Sequence, residues 1–281
     1  MSAAQASLPF DQRWADRREH RRTPGERINP AEYGVDILGR KEAKAFIIQH
    51  HYSGSYPAAH LAVGLYRKVG VQSSRLVGAA VFSEGVRSHE AMPRWTGFER
   101  QHGTELGRLV LLPEVLHNGE SWFITRAFDA LRTARPYIRV VLSYCDPLER
   151  RTSQGQLVKP GHFGSIYQAT NAIFVGRAAA RTLRMLPDGR VLHPYVLYKA
   201  KHLKKGWAAA VHAIEAAGGP EREGESVAAW IDRVAATLRP VRHPGNFTYT
   251  FGLDAGAWSQ LHAMHGSGFP YPKAGMARYA A

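Results

Sequence analysis

Helix-like and strand-like apolar patterns alternate along most of this chain, and that alternation is the feature that most restricts its fold. Apolar residues recur at helical spacing within residues 39–50, whereas residues 61–67 and 76–84 have the composition of two paired strands. A chain in which both patterns alternate is expected to form an α/β domain whose sheet is covered by helices.

The alternation continues as far as residue 251. It predicts strands at residues 105–112, 138–144 and 247–251, a hairpin over residues 182–199, and helices that begin near residues 118, 162, 207 and 226. Beyond residue 266 no period is visible. We divide the chain into a basic N-terminal arm (1–34), a central domain (35–252) that includes a helical insertion (206–239), and a C-terminal tail (253–281).

The composition excludes several classes of protein. With 44% hydrophobic and 21% charged residues, the chain is globular rather than disordered. Its apolar runs are far shorter than the roughly 18 to 20 residues of a membrane-spanning helix, and no apolar signal region follows the basic N-terminus. Cys145 is the only cysteine, which excludes a disulfide framework and multi-cysteine metal sites. We expect a cytoplasmic protein with no membrane partner, and the sequence specifies no oligomeric state.

The positive charge points to a polyanionic partner. The chain has 37 Lys and Arg residues against 23 Asp and Glu, a net charge of +14, so nucleic acid is the natural candidate. Basic residues are densest within residues 176–206, where the alternative is a solvated basic face. The residues predicted to bind nucleic acid there are Arg177, Arg181, Arg184, Lys199, Lys201, Lys204 and Lys205.

Five segments, taken together and in order, resemble the phage DNA-modification proteins of the Mom family. They are HHYSG (50–54), ELGRL (105–109), NGES (118–121), SYCD (143–146) and GHFGSIYQATN (161–171). This resemblance and the order of the predicted elements imply a GNAT-like acyltransferase fold for the central, catalytic domain. That fold has a central mixed, mostly antiparallel sheet flanked by helices, here with extra C-terminal helices.

The resemblance also implies an activity. A Mom-like enzyme adds a carbamoylmethyl (glycinamide-type) group to the N6 amine of adenine in double-stranded phage DNA, which protects the DNA from host restriction. Two alternatives stay open from the sequence. One is a conventional acetyl-CoA-dependent GNAT N-acetyltransferase, and the other is a non-catalytic DNA-binding protein on the same fold.

The donor of the transferred group is a small molecule that the sequence does not identify. Conventional GNAT enzymes bind the pyrophosphate of acetyl-CoA on a glycine-rich loop at a helix N-terminus. Residues 112–121 of this chain have one glycine and two acidic residues instead, which argues against acetyl-CoA. The predicted donor-binding residues are Arg108, Asn118, Gly119 and Ser121, and a helix cap is the alternative role for Ser121.

The predicted catalytic residues include a carboxylate and two phenols. Asp146 follows a buried strand, where carboxylates project into clefts, so it is a candidate base or metal ligand; the alternative is that it begins a turn before Pro147. The resemblance implies iron as a candidate metal, held by Tyr52, Asp146 and Tyr167 with His51 as a further ligand. Tyr167 also lies on an apolar helical stripe, so a core position is its alternative. We expect the Asp146 carboxylate and the Tyr167 phenol to open into one pocket.

Arg108 and the histidine pair complete the predicted site. His50 shares the apolar stripe of its helix, so His51 is expected to be freer for function. Period-two alternation places Arg108 on one face with Leu106 and Val110, where an unpaired charge is costly. Arg108 should therefore pair with a carboxylate or face an anionic ligand.

Overall fold

The computed structural model describes residues 11–15, 18–22, 27–85, 88–192 and 194–273, with side chains from residue 27 onward. The chain forms two compact units. The first takes its described residues from 1–145, 164–176 and 247–272, and the second from 146–163, 177–246 and residue 273.

The elements alternate along the chain as the apolar patterns predict. The strands are β1 (Asp11–Ala15), β2 (Arg18–Arg22), β3 (Tyr33–Ile37), β4 (Ala59–Lys68), β5 (Ser74–Ser83), β6 (Gly103–Leu111), β7 (Val140–Cys145), β8 (Arg150–Arg151), β9 (Leu157–Lys159), β10 (Ile173–Arg177), β11 (Arg181–Met185), β12 (Val191–Leu192), β13 (Arg239–His243) and β14 (Phe247–Gly252). The helices are α1 (Arg40–His50), α2 (Ser88–Thr96), α3 (Gly119–Ala134), α4 (Ser165–Gln168), α5 (Pro194–Lys201), α6 (Trp207–Glu215), α7 (Val227–Thr237) and α8 (Ala255–His265).

The first unit is organised around a sheet in which seven strands are described, in the order β10-β14-β7-β6-β5-β4-β3. Neighbouring strands from β3 to β6 pair antiparallel, as do β7 and β14, whereas β6 and β7 are parallel. The predicted α/β class, with a mixed and mostly antiparallel sheet flanked by helices, is confirmed.

Helices cover both faces of this sheet. On one face, Phe46 and Ile47 of α1 pack on Ala79 and Val81, and α2 and α8 pack on the same face beside β7. On the other face, Phe128 of α3 packs against rings of β5 and β14. Because the core-facing residues of the central strands are almost all apolar, polar groups among them require a specific explanation.

The second unit has its own core. A three-stranded sheet in the order β12-β11-β13 accompanies helices α5, α6 and α7, whose apolar sides enclose the fully buried Trp230. β8 and β9 form a short antiparallel hairpin. Helices α6 and α7 begin at or within one residue of the helix starts predicted near residues 207 and 226.

Three secondary-structure predictions need correction. The helix predicted to begin near residue 162 is only the short α4, and the chain then enters β10. The hairpin predicted over residues 182–199 is confined to β11 and β12, because residues 194–201 form α5. Helix α8 lies within the predicted C-terminal tail. Its Ala257 and Leu261 are buried in the core beside β7, and Trp258 packs against the same cluster. Across the described part of the chain, no helix is both long and apolar enough to cross a membrane.

Candidate active site

The two parallel strands of the first unit separate soon after they meet. β6 and β7 pair through three residues that end at Glu105 and Leu142. Both strands then continue in the same direction, β6 to Leu111 and β7 to Cys145, but they no longer pair with each other. We call the opening between them the strand gap. Polar groups from both strands meet there, which makes it the candidate site.

Arg108 lies on the β6 side of the strand gap. Its guanidinium donates three hydrogen bonds: from Nε to the Ser55 carbonyl oxygen (3.0 Å), from Nη2 to Ser55 Oγ (2.9 Å), and from Nη1 to the Gly107 carbonyl oxygen (2.6 Å). Burial lowers the pKa of Arg108, while Tyr52 and Glu105 oppose that shift. The predicted need for a polar partner is therefore met by Ser55, with Glu105 nearby as a carboxylate.

The prediction that Arg108 shares a face with Val110 is confirmed, but the prediction that it shares a face with Leu106 is wrong, because β6 contains a bulge. Val81 of β5 pairs with Arg108, but the next residue, Phe82, pairs with Leu106, so Gly107 is an extra residue in β6. Paired residues share a face and successive residues alternate, so Arg108 and Leu106 point to opposite faces. Bulges of this kind re-aim side chains, and here the bulge directs Arg108 toward the side of the sheet that α1 covers.

Tyr167 of α4 is a buried phenol beside the end of β7. Its ring packs at 5.6 Å from that of Tyr249 and edge-on at 6.0 Å from that of Phe251. Burial raises the pKa of Tyr167 well above its ordinary value, and the neighbouring Cys145 and Tyr52 add to the shift. Tyr167 is therefore a neutral hydrogen-bond donor at neutral pH, and it is also part of the aromatic core, as its alternative assignment predicted.

Tyr52 and His51 lie in the segment that follows α1. Tyr52 is half-buried and acts electrostatically on both Arg108 and Tyr167, so these three predicted residues lie in one region of the first unit. His51 is 9% exposed, its ring is tilted against that of Tyr52 at 4.3 Å, and its Nδ1 accepts a 3.2 Å hydrogen bond from the Ser53 amide. His50 is the more exposed of the two histidines, and its ring contacts that of the core residue Phe46 at 4.7 Å.

The start of α3 contains the predicted donor-binding residues. Asn118 caps the helix in the left-handed conformation, with φ of 62°, and its side chain makes no capping hydrogen bond. Gly119 is buried, and a Cβ there would meet Val115. The Ser121 hydroxyl donates to the Asn118 carbonyl oxygen at 3.2 Å and so does not cap an amide of the helix. Helix starts attract anions, but nothing here selects one.

Asp146 belongs to the second unit, where it is the centre of a cluster. Its Oδ1 accepts hydrogen bonds from the Leu148 amide and from His243 Nε2, both at 2.9 Å, and its Oδ2 accepts from Arg150 and lies 3.5 Å from Lys159 Nζ. We call Asp146, Arg150, Lys159, His162 and His243 the Asp146 cluster. His243 Nδ1 accepts from the Gly245 amide, which requires the ring proton to be on Nε2, pointing at Asp146.

The cluster holds Asp146 in its ionised form. Burial alone would raise the pKa of Asp146, but the His243 hydrogen bond, the charges of Lys159 and Arg150, and the Leu148 amide lower it well below its ordinary value. Burial and the adjacent Lys159 also lower the pKa of His162 to about 4, so this imidazole is neutral. Asp146 therefore has little basicity at neutral pH.

Comparison with known proteins identifies the family. The model of the Mom protein family matches residues 32–222, which is more than half of the chain. The chain belongs to the Mom protein family. The matched range includes every residue predicted for the site, from His51 to Lys205.

Other comparisons concern solved structures. A tandem GNAT protein from the clavulanic acid biosynthesis pathway is 10% identical, with a TM-score of 0.38 over 79% of this chain and 99% of that chain. Malonyl-CoA decarboxylase from Agrobacterium vitis is 11% identical, with a TM-score of 0.34 over 90% of this chain and 68% of that chain. No curated protein matches the sequence.

In this Mom-family protein, Asp146 is poorly suited to bind the predicted iron. Both of its carboxylate oxygens already accept hydrogen bonds, and two cations lie against them. Among the residues whose side chains are described, no group of three or more His, Cys, Asp and Glu is arranged to hold a metal ion. We therefore assign no catalytic step to a metal.

The residues of the Mom-family protein that were predicted to bind nucleic acid differ in their exposure and in their contacts with other side chains. Lys204 and Lys205 are exposed between α5 and α6, and Arg181 and Arg184 are exposed on β11. Lys201 differs, because its ammonium donates to both oxygens of Asp232, at 2.6 and 2.8 Å. Lys199 lies over the Tyr195 ring at 5.6 Å, while Arg177 is half-buried in β10. The exposed members are those best placed to meet phosphates.

Sequence reasoning missed one group in the strand gap. Glu105 occupies the last paired position of β6 and is half-buried, but strict alternation of the strand would direct it away from Arg108. The one available signal was Gly107, because glycine within a strand often marks a bulge.

Proposed function

We propose that this Mom-family protein is a DNA-modifying transferase that adds a carbamoylmethyl group to the N6 amine of adenine in phage DNA and so protects that DNA from host restriction. The observation that carries the proposal is the family match over residues 32–222, which includes the strand gap and its polar residues. The net charge of +14 supports DNA as the substrate.

The reaction makes definite demands on a site. The exocyclic amine of adenine is a weak nucleophile because its lone pair is delocalised into the ring. In the transfer, the amine nitrogen forms a bond to the methylene carbon of an activated donor, the bond from that carbon to its leaving group breaks with the electron pair, and the amine loses a proton. Within a duplex, the adenine must first leave the base stack.

Two side chains meet part of these demands: Arg108 in the strand gap and Tyr167 beside the end of β7. The Arg108 guanidinium, held in place by Ser55, is suited to an anionic part of the donor. The Tyr167 phenol, which is neutral at pH 7 and whose pKa burial raises further, is suited to donate a hydrogen bond to an oxygen of the transferred group. The first residues of α3, Asn118 to Ser121, are proposed to hold the leaving-group end of the donor.

The basic residues of the second unit are proposed to hold the DNA backbone. Lys204, Lys205, Arg181 and Arg184 are exposed and are directed to solvent rather than into the unit's core. Phosphate contacts of this kind position a duplex without reading its sequence. Tyr195 and Tyr198, stacked at 6.1 Å and both exposed, offer an aromatic surface to an unstacked base.

The test is nucleoside mass spectrometry of plasmid DNA isolated from bacteria that express the protein. We expect a deoxyadenosine derivative that is heavier by one carbamoylmethyl group, and its loss when Arg108 is replaced by Gln. Arg126→Gln, an exposed arginine on α3, is the matched control and should leave the yield unchanged.

Each alternative outcome has a definite meaning. An acetylated amine in place of the carbamoylmethyl derivative would identify a conventional acetyltransferase. An unmodified adenine pool, with the purified protein still bound to DNA, would identify a non-catalytic DNA-binding protein. Either result overturns the proposed function.

A further inference from the structure

Glu105 lies at the point where the strand gap begins. It is opposite Leu142 in the last pair between β6 and β7, and opposite Ser83 of β5. Its side chain is half-buried, and a Cβ on Gly85, in the segment after β5, would overlap its carboxylate. The carboxylate is therefore held closely by backbone on one side while the strands diverge on the other.

The bulge at Gly107 brings Glu105 and Arg108 to the same face of β6. Ser83 and Val81 share a face of β5, and they pair with Glu105 and Arg108 respectively. Even so, the three hydrogen bonds of Arg108 go to Ser55 and Gly107. Among the described residues, Glu105 accepts no hydrogen bond and takes part in no ion pair. A half-buried carboxylate with no direct partner among the described residues is unusual, and its burial is costly.

The electrostatic surroundings of Glu105 come from three elements. Burial raises the pKa of Glu105 to about 7, and Arg108 on the same strand opposes the shift. From β7, Tyr144 faces it as a neutral phenol, whose own pKa is raised by burial and by Glu105, with Arg94 of α2 opposing. β5 contributes the uncharged Ser83. A base of this strength is matched to proton transfer at neutral pH.

We propose that Glu105 is the general base of the transfer reaction, accepting the N6 proton of the extruded adenine in the strand gap. The inference rests on the proposed function. As the amine nitrogen bonds to the methylene carbon of the activated carbamoylmethyl donor, the leaving group departs with its electron pair and the N6 proton moves to a carboxylate oxygen of Glu105. The sequence suggests Asp146 for this role, but its carboxylate forms ion pairs with Arg150 and Lys159.

The experiment measures the rate of modification of a plasmid by the purified full-length protein as a function of pH, with a deproteinised small-molecule extract of bacterial cells as the donor source. For the wild-type protein, we expect the rate to rise with pH and to level off above an inflection near 7. Glu105→Gln should lower the rate at pH 7.5 by at least about 100-fold and abolish the inflection, because general bases contribute about 10² to 10⁴. Glu105→Asp, which keeps the carboxylate, should retain an inflection.

The matched control is Glu84→Gln, which removes an exposed carboxylate next in the chain to Gly85, paired with Arg100 at 2.6 Å. It should leave the rate and the pH profile unchanged. Urea midpoints and DNA affinities of the variants establish that they are folded. If Glu105→Gln keeps the wild-type rate and inflection, Glu105 is not the base. If the wild-type protein itself yields no modified adenine while DNA binding persists, it is the proposed function that fails.

Discussion

In and beside the strand gap of the first unit, burial is the largest cause of the pKa shifts of the polar groups, whereas in the Asp146 cluster of the second unit hydrogen bonds and neighbouring charges together outweigh it. Burial raises the pKa of Glu105 and Tyr167 and lowers that of Arg108. In the Asp146 cluster, the partners overcome burial and lower the pKa of the carboxylate. The cost of removing charge from water therefore sets the pKa shifts in the strand gap, whereas hydrogen bonds and ion pairs offset it in the Asp146 cluster.

The difference separates two roles that residue type alone does not distinguish. Groups with a poorly compensated charge gain from the arrival of a ligand or a proton, which is a property of reactive sites. A fully paired cluster gains nothing further, and it stabilises its own unit by fixing the segments that supply its members. The comparison assigns reactivity to the strand gap and stability to the Asp146 cluster.

The largest expected effect comes from breaking the Asp146 cluster. Asp146→Asn keeps the size of the side chain but leaves Lys159, whose side chain is 3% exposed, and Arg150 without their counterion. We expect the free energy of unfolding at pH 7, measured with urea, to fall by about 3–5 kcal/mol. The loss should shrink as the pH falls through the lowered pKa of Asp146, because the wild-type carboxylate is then protonated as well.

The control for that variant is Asp232→Asn, which breaks the exposed pair with Lys201 and should change stability by less than about 1 kcal/mol. A normal urea midpoint for Asp146→Asn combined with a complete loss of adenine modification would reverse the comparison. In that case, Asp146 would act in the chemistry rather than in the cluster.

The next prediction is a gain in the free energy of unfolding rather than a loss. Because the pKa of Glu105 is about 7 in the folded state and ordinary in the unfolded state, the folded protein loses stability as the pH rises from about 4.5 to 7. Glu105→Gln removes that penalty and should raise the free energy of unfolding at pH 8 by about 2 kcal/mol. At pH 4 the two proteins should be equally stable. Urea titrations at both pH values measure the difference, and a variant that is less stable at pH 8 would show that the charge of Glu105 is compensated.

The elements of the fold were largely predictable because burial imposes a period on each of them. The helix at α1 and the strands β4, β5, β6, β7 and β14 were predicted within a few residues. Predictions failed where the local pattern was not decisive. Residues 195–198 are aromatic and aliphatic residues that are common in strands, but they form part of α5, where Val196 and Leu197 pack against α6 and α7.

The candidate site was only partly predictable, for a different reason. Arg108, Tyr52 and Tyr167 were named from the sequence, but their surroundings depend on strand register. The extra residue at Gly107 reverses the face of every residue before it, so Glu105 could not be assigned to the face of Arg108 from alternation alone. His243, which holds Asp146 from 97 residues away in the sequence, is likewise visible only in the fold.

A smaller effect tests the basic residues of the second unit. Lys204 and Lys205 are exposed, whereas Lys201 is neutralised by Asp232. If the two exposed lysines contact phosphates, changing both to Ala should weaken duplex binding and reduce the slope of log K against log salt by up to about 2. Lys201→Ala is the matched control and should change the slope less. An unchanged slope for the double variant would place the DNA contact elsewhere, and fluorescence anisotropy across a salt series gives the measurement.

The smallest expected change in stability comes from Ser121. It sharpens the comparison because the Ser121 side chain caps no helix amide, so its removal should cost the fold little. Its hydroxyl donates to the Asn118 carbonyl oxygen instead of accepting from a helix amide, so it is not the N-cap that the sequence allows. Ser121→Ala should change the free energy of unfolding by less than about 0.5 kcal/mol. If the start of α3 holds the donor, the same variant should raise the concentration of small-molecule extract needed for half-maximal modification. A destabilisation above about 1 kcal/mol would instead give Ser121 the structural role of a cap, and the donor site would have to be sought nearer to Arg108.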